Sequence, residues 1–143
     1  FLQNIPRKEH EMIIPCEIAV KCVLPPVRAM IAKELMTKHN LNQTQAAKLL
    51  GVSQPAISLY YRKLRGKAID LEREKEITTL IENLAKKLAE GNLTGTEFIL
   101  MFCEICRTIR ARGLLCQVHK AFDPSIDLEK CDLCKTTNAL KCM

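Results

Sequence analysis

Five cysteines in the last third of the chain have a spacing that suits a soft metal ion. They are Cys103, Cys106, Cys116, Cys131 and Cys134, so that two Cys-x2-Cys pairs stand on either side of a fifth thiol. Each pair can place two thiolates on one metal ion or on one edge of an iron–sulfur cluster. The pattern predicts a metal site, with all five cysteines as candidate ligands.

The spacing alone admits either zinc or an iron–sulfur cluster, because both take four ligands. Zinc could take the two pairs and leave Cys116 and His119 over, or Cys116 could replace one member of a pair. His119 is a further candidate ligand, although a surface position is the simpler expectation for it. A redox site can use an exchanging fifth thiol, whereas a structural zinc site cannot, which favours the cluster. Unpaired core thiols are the remaining alternative.

Other residues near this pattern have open roles. Cys16 has no partner by spacing and is expected to be a buried thiol, and Cys22 is expected to lie in the core. Three arginines, Arg107, Arg110 and Arg112, follow the first cysteine pair. They could neutralise an anionic thiolate cluster, contact DNA or form a solvated helix face.

Composition and charge narrow the class of protein. The chain has 143 residues, eight cysteines and a net charge of +6. No apolar run is long enough to span a bilayer and no signal peptide is visible, so we expect a cytoplasmic protein with no membrane partner. Cysteines in that compartment favour metal binding over disulfides. Between residues 26 and 67, eight basic side chains face one acidic side chain, a balance that is typical of nucleic-acid binding.

Hydrophobic spacing predicts an all-α fold in four parts. Residues 1–11 are a flexible tail, and residues 12–67 contain helices at about 26–39, 43–50 and 53–64. In the second of these, Ala46, Ala47, Leu49 and Leu50 should face inward. Residues 68–92 hold a long helix at 70–90, and residues 93–143 form a small cysteine-rich domain with a helix at 97–112. The apolar stripe Ile77, Leu80, Ile81, Leu84 and Leu88 favours a homodimer, with packing inside its own chain as the alternative.

The segment LNQTQAAKLLGVSQPAISLYYRKLRG, residues 41–66, has the spacing of a helix-turn-helix, with Gly51 at the turn. Together with the helix before it, this segment resembles the Xre (phage-repressor-like) helix-turn-helix family. The resemblance implies that Gln43 binds a phosphate and that Gln54 reads bases, with Pro55 and Ser58 beside it. The DNA-contacting set is expected to be Gln43, Thr44, Ser53, Gln54, Pro55, Ser58, Arg62, Lys63 and Arg65.

Over a longer stretch, from about residue 12 to 134, the chain resembles archaeal predicted transcriptional regulators that join an Xre-type helix-turn-helix to a C-terminal cysteine cluster. The likeness lies in IIPCEIAVKCVLPPVRAMIAKEL, in EICRTIRARGLLCQVHK and in CDLC. It implies a dimeric regulator that binds an operator in double-stranded DNA and senses redox state or iron through an iron–sulfur cluster. A regulator with a structural zinc and no redox sensing is the alternative. A dithiol redox enzyme is not expected, because the βαβ context of such enzymes is missing.

Overall fold

Seven helices make up the described part of the chain. The computed structural model describes residues 14–63, 70–122 and 129, and within these ranges there is no strand. The helices are α1 (Pro15–Cys22), α2 (Leu24–Lys38), α3 (Gln43–Leu50), α4 (Gln54–Lys63), α5 (Lys75–Glu90), α6 (Gly95–Ala111) and α7 (Cys116–Phe122). The all-α fold class is confirmed. No described helix is both long and apolar enough to cross a membrane. The predicted tail, residues 1–11, lies outside the described residues.

Prolines determine where the first two helices meet. α1 begins at Pro15 and ends at Cys22, and only Val23 separates it from α2. The second helix therefore begins at Leu24, two residues before the predicted start at Pro26. Pro25 and Pro26 lie in its first turn, where the missing N–H groups have no intrahelical acceptor to lose.

Local caps define α3 and α4. The Asn42 side chain accepts a hydrogen bond from the Gln45 N–H (2.8 Å), and the Gln45 side chain accepts one from the Asn42 N–H (2.9 Å), which is a capping box. α3 ends at Gly51, whose φ of 67° is the left-handed conformation that glycine adopts without strain. Ser53 then caps α4, since its hydroxyl accepts a hydrogen bond from the Ala56 N–H (3.2 Å). The connection between the two helices is only residues 51–53.

Three of the four predicted inward side chains of α3 are buried, namely Ala46, Ala47 and Leu50. Leu49 is 38% exposed, so the prediction was wrong there. On an α-helix Leu49 lies about 100° away from Leu50, outside the narrow buried arc of so short a helix.

The long helix α5 begins later than its hydrophobic spacing predicts. It starts at Lys75 rather than at Asp70, and residues 70–74 form a turn in which Leu71 is buried. A buried leucine in this turn continues the apolar pattern without being helical. At the other end Gly91, with φ of 76°, stops the helix as predicted.

Helix α6, like α3, begins with a capping box. The Thr94 hydroxyl accepts a hydrogen bond from the Glu97 N–H (3.2 Å), and Glu97 accepts one from the Thr94 N–H (2.8 Å). The helix ends at Ala111, and Gly113, with φ of 72°, leads the chain to α7. Sequence reasoning missed α7, which places Val118 and His119 in buried positions.

The apolar stripe of α5 is covered by the protein's own helices. Ile77, Ile81, Leu84 and Leu88 are buried, and Leu80 packs partly buried against the same core. α5 contacts α2 on one side and α6 on the other. The alternative of packing within the chain is therefore what the structure shows, and this stripe is not an exposed dimer seam. The resulting core is continuous from Ile18 to Val118.

Ion pairs reinforce the packing of α5 at the surface. Lys38 of α2 pairs with Glu34 (3.0 Å) and with Glu82 of α5 (3.3 Å), and these carboxylates raise the pKa of its ammonium group. Lys33 lies 3.7 Å from Glu72 in the turn before α5. Exposed pairs of this kind contribute little stability, so the apolar contacts hold the helices together.

Candidate functional site

The N-terminal ends of α3 and α4 lie close together at the surface. The turn of residues 51–53 reverses the chain between them, and both helices pack on α2. Ile57 of α4 is fully buried and Ala47 of α3 nearly so, which fixes the two helices against the core. The exposed side chains near their first turns therefore have a defined relative position.

A hydrogen bond joins the first residues of these two helices. The Gln54 amide nitrogen Nε2 donates to Gln43 Oε1 at 2.6 Å, and both side chains are exposed. The Gln43 amide nitrogen and the Gln54 carbonyl oxygen have no hydrogen-bond partner among the described residues. Two glutamine amides are thus held side by side, each with polar groups available to a ligand.

The surrounding side chains are polar or basic. Of the other predicted DNA-contacting residues, Thr44, Ser53, Pro55 and Arg62 are exposed and Ser58 is half-buried. Neither helix contains an acidic residue. Lys63 ends α4, and Arg65 lies outside the described residues. Lys33 and Lys38 of the basic segment are paired with glutamates of α2, of α5 and of the turn before α5. Lys48 and Arg62 are exposed and have no carboxylate partner among the described residues, so they contribute positive charge near α3 and α4.

The first cysteine pair lies on α6. Cys103 and Cys106 are both half-buried, and their spacing of three residues places them on one face of the helix. Cys116 is the first residue of α7 and is also half-buried. The described residues contain no group of three or more His, Cys, Asp or Glu side chains close enough to hold a metal ion. Cys131 and Cys134, the second predicted pair, lie outside the described residues.

His119 of α7 and Cys16 of α1 both differ from expectation in their exposure to solvent. His119 is only 7% exposed, so the expected surface position was wrong, and Leu115 and Val118 are buried in the same stretch. The available signal was weak: Leu115 and Val118 form an i, i+3 apolar pair, and His119 follows Leu115 at i+4 on the same helix face. α7 packs against α1, the helix that contains Cys16 and Cys22. Cys16 is exposed rather than buried, whereas Cys22 packs against the core, and burial raises the pKa of its thiol.

The three arginines that follow the first cysteine pair have different environments. Arg112 binds Glu76 (2.6 Å) and Glu74 (3.3 Å), which ties the end of α6 to the start of α5. Arg107 is exposed. Arg110 is 8% exposed, and its Nε atom is buried with no hydrogen-bond partner in the described part of the chain.

Comparison of the chain with protein-family models, with curated proteins and with solved structures gives no significant match.

Proposed function

We propose that this protein is a sequence-specific transcriptional regulator that binds double-stranded DNA through α3 and α4 as a helix-turn-helix. The proposal rests chiefly on the Gln43–Gln54 hydrogen bond, which presents two amides at the adjoining ends of two helices that contain no acidic residue. In such a module the N-terminus of the second helix enters the major groove. Gln54 is the first residue of α4, which supports assigning it that role.

Gln54 can bond to Gln43 and to a base at the same time. Its amide nitrogen has two N–H donors, of which one is used by Gln43 Oε1. The second donor and the carbonyl oxygen form the bidentate pair that recognises adenine. Gln43 would hold Gln54 in place and give its own N–H to a phosphate, so we assign it a positioning as well as a binding role.

The remaining contacts are assigned to the DNA backbone. Arg62 is exposed on α4, and together with Lys63 and Arg65 it would neutralise phosphates that flank the groove. Thr44 and Ser58 can add hydroxyl contacts. Ser53 uses its hydroxyl to cap α4, so its role is to orient the recognition helix.

An operator selected from a random duplex pool permits a direct test. We expect Gln54→Ala to reduce discrimination at one base pair by about 1–3 kcal/mol. Arg62→Ala should weaken binding to all sequences alike and reduce the slope of log K against log salt by about 1. Asn83→Ala and Lys86→Ala, which remove an exposed amide and an exposed charge on α5, are the matched controls. If the four variants bind DNA equally well, α3 and α4 are not the DNA-binding element.

We further propose that the C-terminal cysteines bind an iron–sulfur cluster, with zinc as the alternative. The donors are thiolates, two of them share one face of α6, and the same helix carries the buried Arg110, whose Nε atom has no hydrogen-bond partner among the described residues. These features suit an anionic thiolate-held group. A bound cluster would supply a change of charge or occupancy with redox state or iron, and zinc would supply none.

Anaerobic purification followed by iron, sulfide and zinc analysis distinguishes these metals. A brown protein with matching iron and sulfide supports the cluster, and a colourless protein with one zinc per chain supports the structural site. If the freshly purified protein contains neither metal, the metal-binding part of the proposal is contradicted. The DNA-binding part has its own test and is not affected.

A homodimer is proposed as the DNA-binding form, because two half-sites require two modules. Since the α5 stripe is buried within the chain, a second copy would need other apolar side chains. Ile99 and Leu100 on α6 are 59% and 60% exposed and are available for this purpose. Sedimentation equilibrium of the double variant Ile99→Ser, Leu100→Ser tests this directly. A dimer that persists unchanged would place the interface elsewhere.

A further inference from the structure

Arg110 on α6 has a buried positive charge and, among the described residues, an unsatisfied hydrogen-bond donor. The residue is 8% exposed, and its Nε atom has no hydrogen-bond partner within the described residues. Burial of a cationic group is costly unless the charge is paired and its donors are bonded. A side chain of this kind is expected to have a negatively charged group beside it when the protein is in its functional state.

Helix geometry indicates which group that is. Cys103, Cys106 and Arg110 have i, i+3 and i+7 spacing on α6, so they share one face of the helix. Long side chains on a helix generally point back toward its N-terminus, so we expect the Arg110 side chain to lean toward the turn that contains Cys106. Both cysteines are half-buried, so thiolates formed there would be partly shielded from water.

The two neighbouring arginines, Arg107 and Arg112, have different surroundings from Arg110. Arg112 is already paired with Glu74 and Glu76, and Arg107 is exposed, where a charge is screened by solvent and salt. Arg110 therefore differs from both in being buried without a carboxylate in the described part of the chain.

We propose that Arg110 is the counter-ion of the thiolate group formed when Cys103 and Cys106 bind a metal, an inference that rests on the proposed metal site. Each thiol releases its proton to solvent as its sulfur binds the ion. Four thiolates around one Zn²⁺ have a net charge of 2−, which the guanidinium partly neutralises. The same interaction provides the missing partner of Nε.

Zinc titration of the full-length, metal-free protein tests the proposal. The protein is kept reduced under anaerobic conditions and competes for Zn²⁺ with a chromophoric chelator. We expect Arg110→Met to bind Zn²⁺ about 10–100-fold more weakly, the usual effect of losing a group that supports metal ligands. Arg107→Met, which removes an exposed arginine from the same helix, should change the affinity less than about twofold. Arg110→Lys keeps the charge and should recover part of the loss.

A second readout separates this role from a structural one. Thermal unfolding of the metal-free protein should give an Arg110→Met variant with an unchanged or higher Tm, because methionine keeps the apolar stem and removes the unpartnered donor. A lower Tm of the metal-free variant would show that Arg110 serves the fold, and would overturn the inference. Equal Zn²⁺ affinity of Arg110→Met and wild type would also overturn it and leave the metal site standing. If the wild type binds neither Zn²⁺ nor a cluster, the proposed metal site falls together with the inference.

Discussion

Leu84→Ala tests whether the apolar stripe of α5 belongs to the core of one chain. Leu84 is fully buried, and α5 lies against both α2 and α6. The substitution removes three carbon atoms, which at about 0.8 kcal/mol for each buried methylene gives roughly 2.4 kcal/mol of lost transfer free energy. The cavity adds to this value, and Leu→Ala changes in cores cost about 2–5 kcal/mol in total. For a chain of this size a loss of about 3 kcal/mol corresponds to a Tm lower by roughly 6–12 °C.

Thermal unfolding followed by circular dichroism at several protein concentrations is the suitable assay. A core residue of one chain lowers Tm by the same amount at every concentration, whereas a residue in a dimer seam makes the loss depend on concentration. The control is Asn83→Ala, the exposed neighbour of Leu84, which should change stability by less than about 0.5 kcal/mol. A Leu84→Ala Tm equal to that of wild type, or a loss that grows on dilution, would refute the assignment of the stripe to the chain's own core.

Three further predictions concern helix ends. Thr94→Ala should destabilise the protein by about 1 kcal/mol in chemical denaturation, because the Glu97 N–H loses its acceptor. The hydrogen bonds from Thr94 lower the pKa of Glu97, so the stabilisation by its carboxylate is complete above the ordinary value of about 4.3 and is lost as the pH falls through the lowered folded pKa. The Tm difference between wild type and Glu97→Gln should therefore shrink between pH 6 and pH 3, and a constant difference would contradict this. Gly91→Ala and Gly95→Ala should have opposite effects on stability. An added Cβ meets nothing within 4 Å at either position, but of the two glycines only Gly91 has a positive φ, of 76°. We expect a loss of about 1–2 kcal/mol at Gly91 and a smaller gain at Gly95, measured by the same denaturation experiment.

Signals that depend on a few neighbouring residues were read correctly from the sequence. Gly51 and Gly91 end helices in the left-handed conformation, and Thr94 caps α6, close to the predicted start of that helix. These positions are determined by hydrogen bonds and backbone preferences within about four residues, so tertiary contacts have little influence on them.

Features that depend on distant contacts could not be read in the same way. An apolar stripe indicates that one face of a helix is buried. It does not indicate whether α2 and α6 or a second copy of the chain buries that face. Similarly, Leu71 extends the apolar pattern of α5 although it lies in a turn, and His119 is buried in a helix too short for its periodicity to stand out. The environment of Arg110 also depends on distant contacts. The sequence shows three arginines near the cysteines, and only the packing of the helices distinguishes them.

The burial of the α5 stripe changes how a metal signal would reach DNA. If the α5 stripe were the dimer seam that its spacing favours, a change in the cysteine site could repack α6 against that seam and so alter half-site spacing. In the structure α6 packs on α5, α5 on α2, and α2 on both α3 and α4, so a contiguous set of helices connects the cysteines of α6 with Gln54. A shift of α6 would then act through the core of each chain, without requiring a seam along α5.

Coupling between the metal site and the DNA-binding helices can be measured in two ways, through DNA affinity and through metal affinity. If metal binding changes operator affinity by a given factor, operator binding must change metal affinity by the same factor, and couplings of this type are commonly about 5–150-fold. Fluorescence anisotropy with labelled operator, with and without Zn²⁺, gives one ratio, and chelator competition with and without unlabelled operator gives the other. We expect the two ratios to agree and to differ from one. Equal operator affinity of the metal-loaded and metal-free forms would show that the cysteine site holds structure without regulating DNA binding, because a ligand with no preference between two states cannot shift their populations.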